Sequence, residues 1–245
     1  MSILAERIVF MKVLILCGGL GTRLTEETAT KPKPMVKIGQ KPILWHLIKY
    51  FNYYGLNDFI LATGYKSNII KNYFKKNPIR NCNVKVYFTG KNTLTGGRIL
   101  RLKNIMGNDD FIATYGDGVS DVNIRRLINF HKRHKGIVTL TAVRPPVRFG
   151  EIKISANNKV FNFKEKPQAT QNWINGGFFI MRKEVFKFIK DDNTILEKKP
   201  FEKLTKNKKL YAYKHYKFWQ CMDTLREKKY LNKIWSNRNA PWKKW

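Results

Sequence analysis

The sequence lacks several features that would assign it to a class of protein at once. Its 245 residues include three cysteines, Cys17, Cys82 and Cys221, which lie far apart. Their spacing encodes neither a disulfide framework nor a CxxC zinc site. No apolar run approaches the roughly 20 residues that a membrane helix needs, and charged residues interrupt the apolar N-terminus where a signal peptide would be uniform. We therefore expect a cytoplasmic protein with no membrane partner.

Acidic residues are scarce: 17 Asp and Glu face 48 Lys and Arg, which gives a formal net charge of +31. A charge this large favours anionic partners, such as nucleic acid, a membrane surface or a phosphate-rich small molecule. The basic residues are spread along the whole chain, however, without a dominant block or an Arg-rich arm. We favour a solvated basic surface over a nucleic-acid footprint. A hydrophobic content of 43% excludes a disordered chain.

Apolar runs of strand length alternate with segments of helical spacing through the first 145 residues. This alternation predicts a parallel sheet with right-handed crossovers. Shorter strands follow, and no flexible linker divides the chain. We expect one α/β domain with a Rossmann-like, mixed and mostly parallel central sheet, flanked by helices in three layers. Its predicted extent is 11–236, between an N-terminal extension, 1–10, and a C-terminal tail, 237–245.

A glycine-rich loop, Gly18–Arg23, follows the first predicted strand, Lys12–Cys17. Glycines let backbone N–H groups approach an anion, and arginine can bind phosphate oxygens with two parallel hydrogen bonds. The loop is not a P-loop, because no Gly-Lys-Ser/Thr follows, and it lacks the third glycine of the dinucleotide fingerprint. The residues leave two interpretations open, a phosphate site and a tight turn.

A carboxylate at another predicted strand end suits a hard cation such as Mg²⁺. Asp117 lies there between Gly116 and Gly118, and a solvated turn is the alternative. Asp223, just before the last predicted helix, is a further candidate, and the alternative for it is an N-cap, a position that Asp favours. No histidine or cysteine arrangement for nucleophilic catalysis is legible. His131 and His134 lie among basic residues and are expected at the surface.

The string Leu16-Cys17-Gly18-Gly19-Leu20-Gly21-Thr22-Arg23, followed by Lys31-Pro32-Lys33-Pro34, resembles the signature of the sugar-1-phosphate nucleotidylyltransferases. Further motifs resemble the glucose-1-phosphate cytidylyltransferase branch of that family. They include Thr95-Gly96-Gly97-Arg98, Tyr115-Gly116-Asp117-Gly118-Val119, Arg148-Phe149-Gly150, Ile174-Asn175-Gly176-Gly177 and Phe218-Trp219-Gln220-Cys221-Met222-Asp223-Thr224. The likeness runs from Met11 to Trp242.

The resemblance implies a nucleotidyltransferase domain that converts CTP and α-D-glucose 1-phosphate into CDP-glucose and diphosphate with Mg²⁺. It implies catalytic roles for Arg23 and Lys33, and metal ligands at Asp117 and Asp223. The implied nucleotide-binding residues are Leu16, Cys17, Gly18, Gly19, Leu20, Gly21, Thr22, Thr93, Arg98 and Gly116. The implied sugar-phosphate-binding residues are Glu165, Lys166, Asn175 and Gly176.

The chain departs from the family pattern in three places. The segment between Phe74 and Val84 is shorter by about a hairpin, in a neighbourhood that family members use for subunit contacts. Cys221 replaces the usual proline before Met-Asp, and ten residues precede Met11. We expect a homo-oligomer, although the shortened segment leaves the subunit number open.

Three other functions remain open from the sequence. The nucleotide could be UTP or dTTP, or the sugar could differ, because base choice depends on a few loop contacts. The chain could be a catalytically silent relative. From a different class, it could be a basic nucleic-acid-binding protein, although it carries no RRM, KH, helix-turn-helix or zinc signature.

Overall fold

The structure is a computed structural model that describes residues 11–19, 21–145, 151–164 and 173–245. The strands are β1 (Val13–Cys17), β2 (Lys37–Ile38), β3 (Lys41–Pro42), β4 (Asp58–Thr63), β5 (Asn83–Phe88), β6 (Phe111–Tyr115), β7 (Gly118–Ser120), β8 (Val138–Val143), β9 (Glu151–Ile154), β10 (Val160–Lys164), β11 (Ile174–Asn175), β12 (Phe179–Met181), β13 (Leu210–His215) and β14 (Trp219–Cys221). The α-helices are α1 (Thr25–Thr28), α2 (Ile43–Tyr53), α3 (Ser67–Lys76), α4 (Thr95–Arg101), α5 (Lys103–Met106), α6 (Ile124–Lys132), α7 (Lys199–Lys206) and α8 (Leu225–Ser236). Short 3-10 helices cover Thr22–Leu24, Lys33–Met35 and Lys183–Phe188. Within these described ranges, no helix is both long and apolar enough to cross a membrane.

A mixed sheet organises the fold. Its strands follow the order β11–β8–β12–β6–β1–β4–β5, and β13 also pairs with β8. The pairs of β1 with β4 and β6, of β4 with β5, and of β8 with β13 are parallel. In contrast, β12 runs antiparallel to β6 and β8. Because β1 has a partner on each side and every residue of it is buried, its unbroken apolar run is explained.

The core lies on both faces of this sheet. Val13 and Ile15 of β1 belong to one apolar cluster, with α2 and α8, whereas Leu14 and Leu16 belong to the other, with α4 and α7. Successive strand residues point to opposite faces, so one strand supplies both clusters. The arrangement confirms the predicted α/β class, a mixed and mostly parallel sheet between helical layers.

Some local expectations were wrong. His131 is 1% exposed, because the inner face of α6 continues from Ile124 through Leu127 and Ile128 to this side chain. Burial lowers the pKa of His131 to about 3, so its imidazole is neutral. Strands β13 and β14 were not predicted. Because β13 contains polar residues, its sequence shows no apolar run over the full strand, although the strand pairs in parallel with β8.

The C-terminal residues pack against the domain. Trp242 is fully buried, and its indole N–H donates to Nδ1 of His46 on α2 at 3.4 Å. Rings of Trp235 and Trp245 also contact His46. Burial lowers the pKa of His46 to about 4, which keeps the imidazole neutral inside this indole cluster. Residues 237–245 therefore contribute to the apolar core.

Candidate active site

A cleft of about 550 Å³ opens where β1 and β6 end. This is the carboxyl edge of the parallel strands, where open α/β sheets bind ligands. The cleft is lined by most of the nucleotide-site residues that the sequence predicted, together with Lys33 and Asp117: Leu16, Cys17, Gly18, Gly19, Gly21, Thr22, Thr93, Arg98 and Gly116. Residues that the sequence assigned to one nucleotide site therefore line one cleft in the fold.

Other lining residues had received no role: Pro34, Lys91, Asn92, Leu94, Thr95 and Tyr115. The loop that carries Lys91 to Leu94 follows β5. Since the carboxyl ends of parallel strands share one sheet edge, that rule applied to a third strand would have found the loop.

The loop after β1 folds as a turn that only glycine fits at its centre. Gly21 has a positive φ of 71°, and its carbonyl accepts hydrogen bonds from the Leu24 N–H at 3.1 Å and the Thr28 hydroxyl at 3.0 Å. A Cβ on Gly21 would lie 2.8 Å from Cγ2 of Thr28. Leu20 and the side chain of Arg23 lie outside the described part of the chain, so their predicted roles stay predictions.

Arg98 donates hydrogen bonds to three segments of the chain, which lie at the carboxyl ends of β1, β4 and β5. Its Nη1 donates to the carbonyls of Thr63 at 3.0 Å and Gly90 at 2.8 Å and to the hydroxyl of Thr89 at 2.8 Å. Nη2 donates to the carbonyl of Gly18 at 2.9 Å. A Cβ on Gly18 would lie 1.9 Å from the guanidinium carbon, so only glycine allows this approach. Arg98 joins the chain after β1, β4 and β5, and its direct contact with a nucleotide stays a prediction.

Lys33, which also lines the cleft, lies between two carboxylates. Its ammonium donates to Oδ2 of Asp117 at 2.6 Å and also to Oδ1 of Asp223. The side chain is buried, and burial works against the charged form. The two carboxylates outweigh burial, and the pKa of Lys33 is raised above its usual value. The ammonium therefore stays protonated at neutral pH and offsets one of the two negative charges.

Strand pairing brings the two aspartates together across about a hundred residues of chain. β14 runs antiparallel to β7 with Cys221 opposite Gly118, and the Met222 N–H donates to the Asp117 carbonyl at 2.8 Å. The N-cap of α8 is Thr224, which forms a capping box with Glu227. The N-cap interpretation of Asp223 is therefore wrong, and its Oδ1 meets Lys33 instead.

The donor set suits Mg²⁺. One oxygen from each aspartate approaches the same cation, the Lys33 ammonium, so the two oxygens already converge. Within the described residues no group of three or more His, Cys, Asp and Glu side chains could hold a metal ion. Two carboxylates, completed by waters and substrate phosphates, are the set that Mg²⁺ commonly uses.

The predicted sugar-phosphate residues are described in part. Glu165 and Lys166 lie outside the described residues. Asn175, on β11, donates from Nδ2 to the Tyr115 hydroxyl at 3.1 Å and accepts at Oδ1 from the Gly177 N–H at 3.0 Å. The Gly176 carbonyl accepts from the Trp219 indole at 2.8 Å. Tyr115 lines the cleft, so Asn175 is connected to it through one hydrogen bond.

The cysteines of the site are protonated thiols. Burial, followed by the charge of Asp117, raises the pKa of Cys17, and burial raises the pKa of Cys221 to about 12. A thiol is a poor nucleophile without ionisation. The cleft is consequently built for binding anions and a cation, not for cysteine-based covalent catalysis.

Comparison with known proteins agrees with this geometry. Residues 12–231 match the nucleotidyl transferase family. The chain is 44% identical over 257 residues to the glucose-1-phosphate cytidylyltransferase of Salmonella typhi, and equally to that of Salmonella typhimurium, covering 96% of this chain and 100% of each relative. Among solved structures, a UTP-bound UGPase from Acinetobacter baumannii superimposes with a TM-score of 0.74 at 18% identity, over 94% of both chains.

The fold and the cleft thus define a nucleotide-binding α/β protein whose carboxylates and cations converge at one sheet edge. The chain belongs to the nucleotidyl transferase family.

Proposed function

We propose that the chain transfers a cytidylyl group from CTP to α-D-glucose 1-phosphate, giving CDP-glucose and diphosphate. The observation that carries this proposal is the 44% identity to glucose-1-phosphate cytidylyltransferases along their entire length. The cleft supports it, because its lining includes glycine backbone, the buried Lys33 ammonium and the Asp117 carboxylate, and Lys33 also meets the carboxylate of Asp223.

The chemistry requires positioning and charge neutralisation. A phosphate oxygen of glucose 1-phosphate attacks the α-phosphorus of CTP in line, the bond to the bridging oxygen breaks, and diphosphate leaves. The attacking oxygen is already anionic at neutral pH, so no general base is needed. This agrees with neutral His46 and His131 and with protonated cysteine thiols.

Each proposed group has a defined task. Lys33 would neutralise charge on the α-phosphate, and Arg23 would bind the triphosphate. Asp117 and Asp223 would hold Mg²⁺, which supplies Lewis-acid stabilisation of phosphate charge when bound. The described residues on the nucleotide side are Leu16, Cys17, Gly18, Gly19, Gly21, Thr22, Thr93, Arg98 and Gly116, with Leu20 between them in sequence. Asn175 and Gly176, with Glu165 and Lys166, would hold the sugar phosphate.

Three broader expectations belong to the same proposal. The catalytic domain spans 11–236, with residues 237–245 packed into its core, the enzyme works in the cytoplasm, and it assembles as a homo-oligomer. The resemblance of this chain to the sugar-1-phosphate nucleotidylyltransferases supports the homo-oligomer. Gel filtration with light scattering measures the number of subunits.

Diphosphate release tests the reaction and the choice of base together. The purified protein is incubated with Mg²⁺ and glucose 1-phosphate, and CTP, UTP, dTTP, ATP and GTP are offered separately. We expect release with CTP. Release with UTP or dTTP alone would keep the reaction class and overturn the base assignment. No release with any nucleotide would contradict the proposed function.

The basic composition keeps one competing function under test. If the +31 charge served nucleic acid, affinity for a random duplex would be high and would fall steeply with salt. We expect weak binding at 150 mM salt, because the comparisons and the cleft both favour a small anionic substrate. Tight, salt-sensitive binding together with no diphosphate release would favour the nucleic-acid function.

A further inference from the structure

Glu197 bears a carboxylate that is hydrogen-bonded to residues of the cleft lining. Neither the sequence motifs nor the proposed chemistry uses it. Its Oε1 accepts from the Tyr115 hydroxyl at 2.5 Å, and its Oε2 accepts from the Thr95 hydroxyl at 2.7 Å. Both hydroxyl-bearing residues line the cleft. Glu197 itself lies more than eighty residues away in sequence, just before α7, where no local pattern would mark it. A carboxylate that accepts from two hydroxyls of the cleft lining fixes the direction in which each hydroxyl donates.

The direction of each hydrogen bond in this network follows from its chemistry. An ionised carboxylate can only accept, so the Tyr115 proton points to Glu197. The Tyr115 oxygen is then an acceptor for Asn175, and Nδ2 donates to it at 3.1 Å. On its other side, Asn175 Oδ1 accepts from the Gly177 N–H at 3.0 Å. Exchanging the two ends of the amide would leave both contacts with mismatched partners, so its orientation is fixed.

The retained proton of Tyr115 agrees with this direction. Burial, followed by the charge of Glu197, strongly raises the pKa of the Tyr115 phenol. A charge-assisted bond at one end also strengthens the next bond in a chain of hydrogen bonds. One N–H of the Asn175 amide is engaged with Tyr115. An amide nitrogen carries two N–H groups, so Nδ2 can donate to a second acceptor as well.

We propose that Glu197 is a positioning residue for the sugar phosphate, because through Tyr115 it fixes the amide orientation in which Asn175 donates to an oxygen of glucose 1-phosphate. This inference rests on the proposed function, which places Asn175 on the sugar-phosphate side. Glu197 touches no substrate itself. It acts as the second-layer carboxylates of metal sites do, by orienting a ligand-binding group.

The second arm of Glu197 provides a matched control. Thr95 is the first residue of α4, and its hydroxyl also accepts from the Leu196 N–H at 2.9 Å. This arm contains neither Tyr115 nor Asn175. Thr95→Val removes it and leaves the bonds among Glu197, Tyr115 and Asn175 in place.

Steady-state kinetics separates the two arms. We expect Tyr115→Phe and Glu197→Ala each to raise KM for glucose 1-phosphate about tenfold, the loss of one well-formed hydrogen bond. KM for CTP should change less than twofold in Tyr115→Phe, and Thr95→Val should leave KM for glucose 1-phosphate near the wild-type value. The double variant Glu197→Ala/Tyr115→Phe should be no worse than either single variant, because both changes break the same chain of bonds.

Two results would overturn the inference: a double variant whose two effects multiply, or Tyr115→Phe with an unchanged KM for glucose 1-phosphate. The second stands even if Glu197→Ala fails to fold, since phenylalanine preserves the ring. Failure of the proposed function would show in the wild type, as no diphosphate release. If the wild type binds glucose 1-phosphate without turnover, calorimetric Kd values replace KM in the same comparison. A wild type that does not bind glucose 1-phosphate overturns both proposals.

Discussion

Lys33 and Arg98 are buried cations that line one cleft, and they differ in the kind of partner that holds them. Each cation and its partners form a part of the lining, the Lys33 wall and the Arg98 wall. Lys33 is 8% exposed and meets the carboxylates of Asp117 and Asp223. Arg98 is 4% exposed, and its contacts are the carbonyls of Gly18, Thr63 and Gly90 with a threonine hydroxyl. One wall is therefore a charge cluster, and the other is a neutral cradle of backbone.

Because of this difference, the Lys33 wall can exchange its cation for another, whereas the Arg98 wall cannot. Backbone carbonyls are fixed by the loops that contain them, and a planar guanidinium with five N–H donors matches their positions. Carboxylates attract any cation of suitable size, so the Lys33 ammonium holds its place there by charge. We infer that the Arg98 wall is built once, on folding, whereas the Lys33 wall is rearranged when substrates and metal bind.

The largest expected effect comes from the charge cluster. Asp117→Asn or Asp223→Asn should lower kcat/KM by about a thousandfold, in line with the loss of electrostatic stabilisation at a phosphoryl-transfer site. The fold should be little affected, because Lys33 keeps the other aspartate as its partner. Diphosphate release and the thermal midpoint, measured on the same preparations, check both statements.

Asp192→Asn is the matched control for these variants. Asp192 also pairs with a cation, Arg101, but at the surface, with the two side chains 42% and 46% exposed. Exposed ion pairs contribute little, so activity and stability should stay near the wild-type values. If Asp192→Asn lost activity to the same extent, the proposed metal site would lose its support.

A smaller effect of a different kind is expected at the neutral wall. Arg98→Met should destabilise the fold by about 3 kcal/mol, because several buried carbonyls lose their donor at once. That corresponds to a fall of roughly 6–12 °C in the thermal midpoint for a chain of this size. Arg98→Lys should recover only part of it, since one ammonium cannot span three loops.

The measurement for Arg98 is paired with CTP affinity. Loss of stability that exceeds the loss of CTP affinity supports a role in building the wall. An Arg98→Met protein with an unchanged midpoint but no CTP binding would show that the guanidinium contacts the nucleotide directly, and the contrast between the two walls would disappear.

Much of the fold could be predicted from sequence because buried parallel strands leave a strong pattern. The predicted strand Lys12–Cys17 contains β1, which is apolar throughout, and β4 is buried at every position except its first. In contrast, β13 has polar residues such as Lys214 and His215, and only its long-range partner β8 makes it a strand. Contacts distant in sequence decide such elements, and no local pattern contains them.

The same limit applies to the site. Gly21 and Asp117 belong to strings with local meaning, and they line the cleft as expected. Asp223 could not be separated from an N-cap residue until the capping box of Thr224 was seen. Glu197 had no local signal at all, since its partners Tyr115 and Thr95 lie in other elements. Sequence patterns identified residues that line the cleft, but not the carboxylate that accepts hydrogen bonds from two of them.

The smallest expected effect is a change in Mg²⁺ affinity, and it tests whether Lys33 and Mg²⁺ compete for one position between the two aspartates. In Lys33→Met, Asp117 and Asp223 lose the ammonium that bonds to both of them, and the repulsion between their like charges increases. A divalent cation relieves that repulsion, so Mg²⁺ without substrate should bind this variant about tenfold more tightly than the wild type, equivalent to about 1.4 kcal/mol. Catalysis should weaken at the same time, since Lys33 is the cation proposed for the α-phosphate.

A Mg²⁺ titration of the thermal midpoint measures this affinity, because a ligand that binds only the folded state stabilises it by mass action. Lys31→Met is the control: Lys31 pairs with Glu27 at 3.0 Å, away from the two aspartates, and its loss should leave the Mg²⁺ midpoint unchanged. Weaker Mg²⁺ binding in Lys33→Met would mean that the ammonium helps to shape the metal site. Lys33 would then be as fixed a part of its wall as Arg98 is of the other, and the exchangeable wall would have to be abandoned.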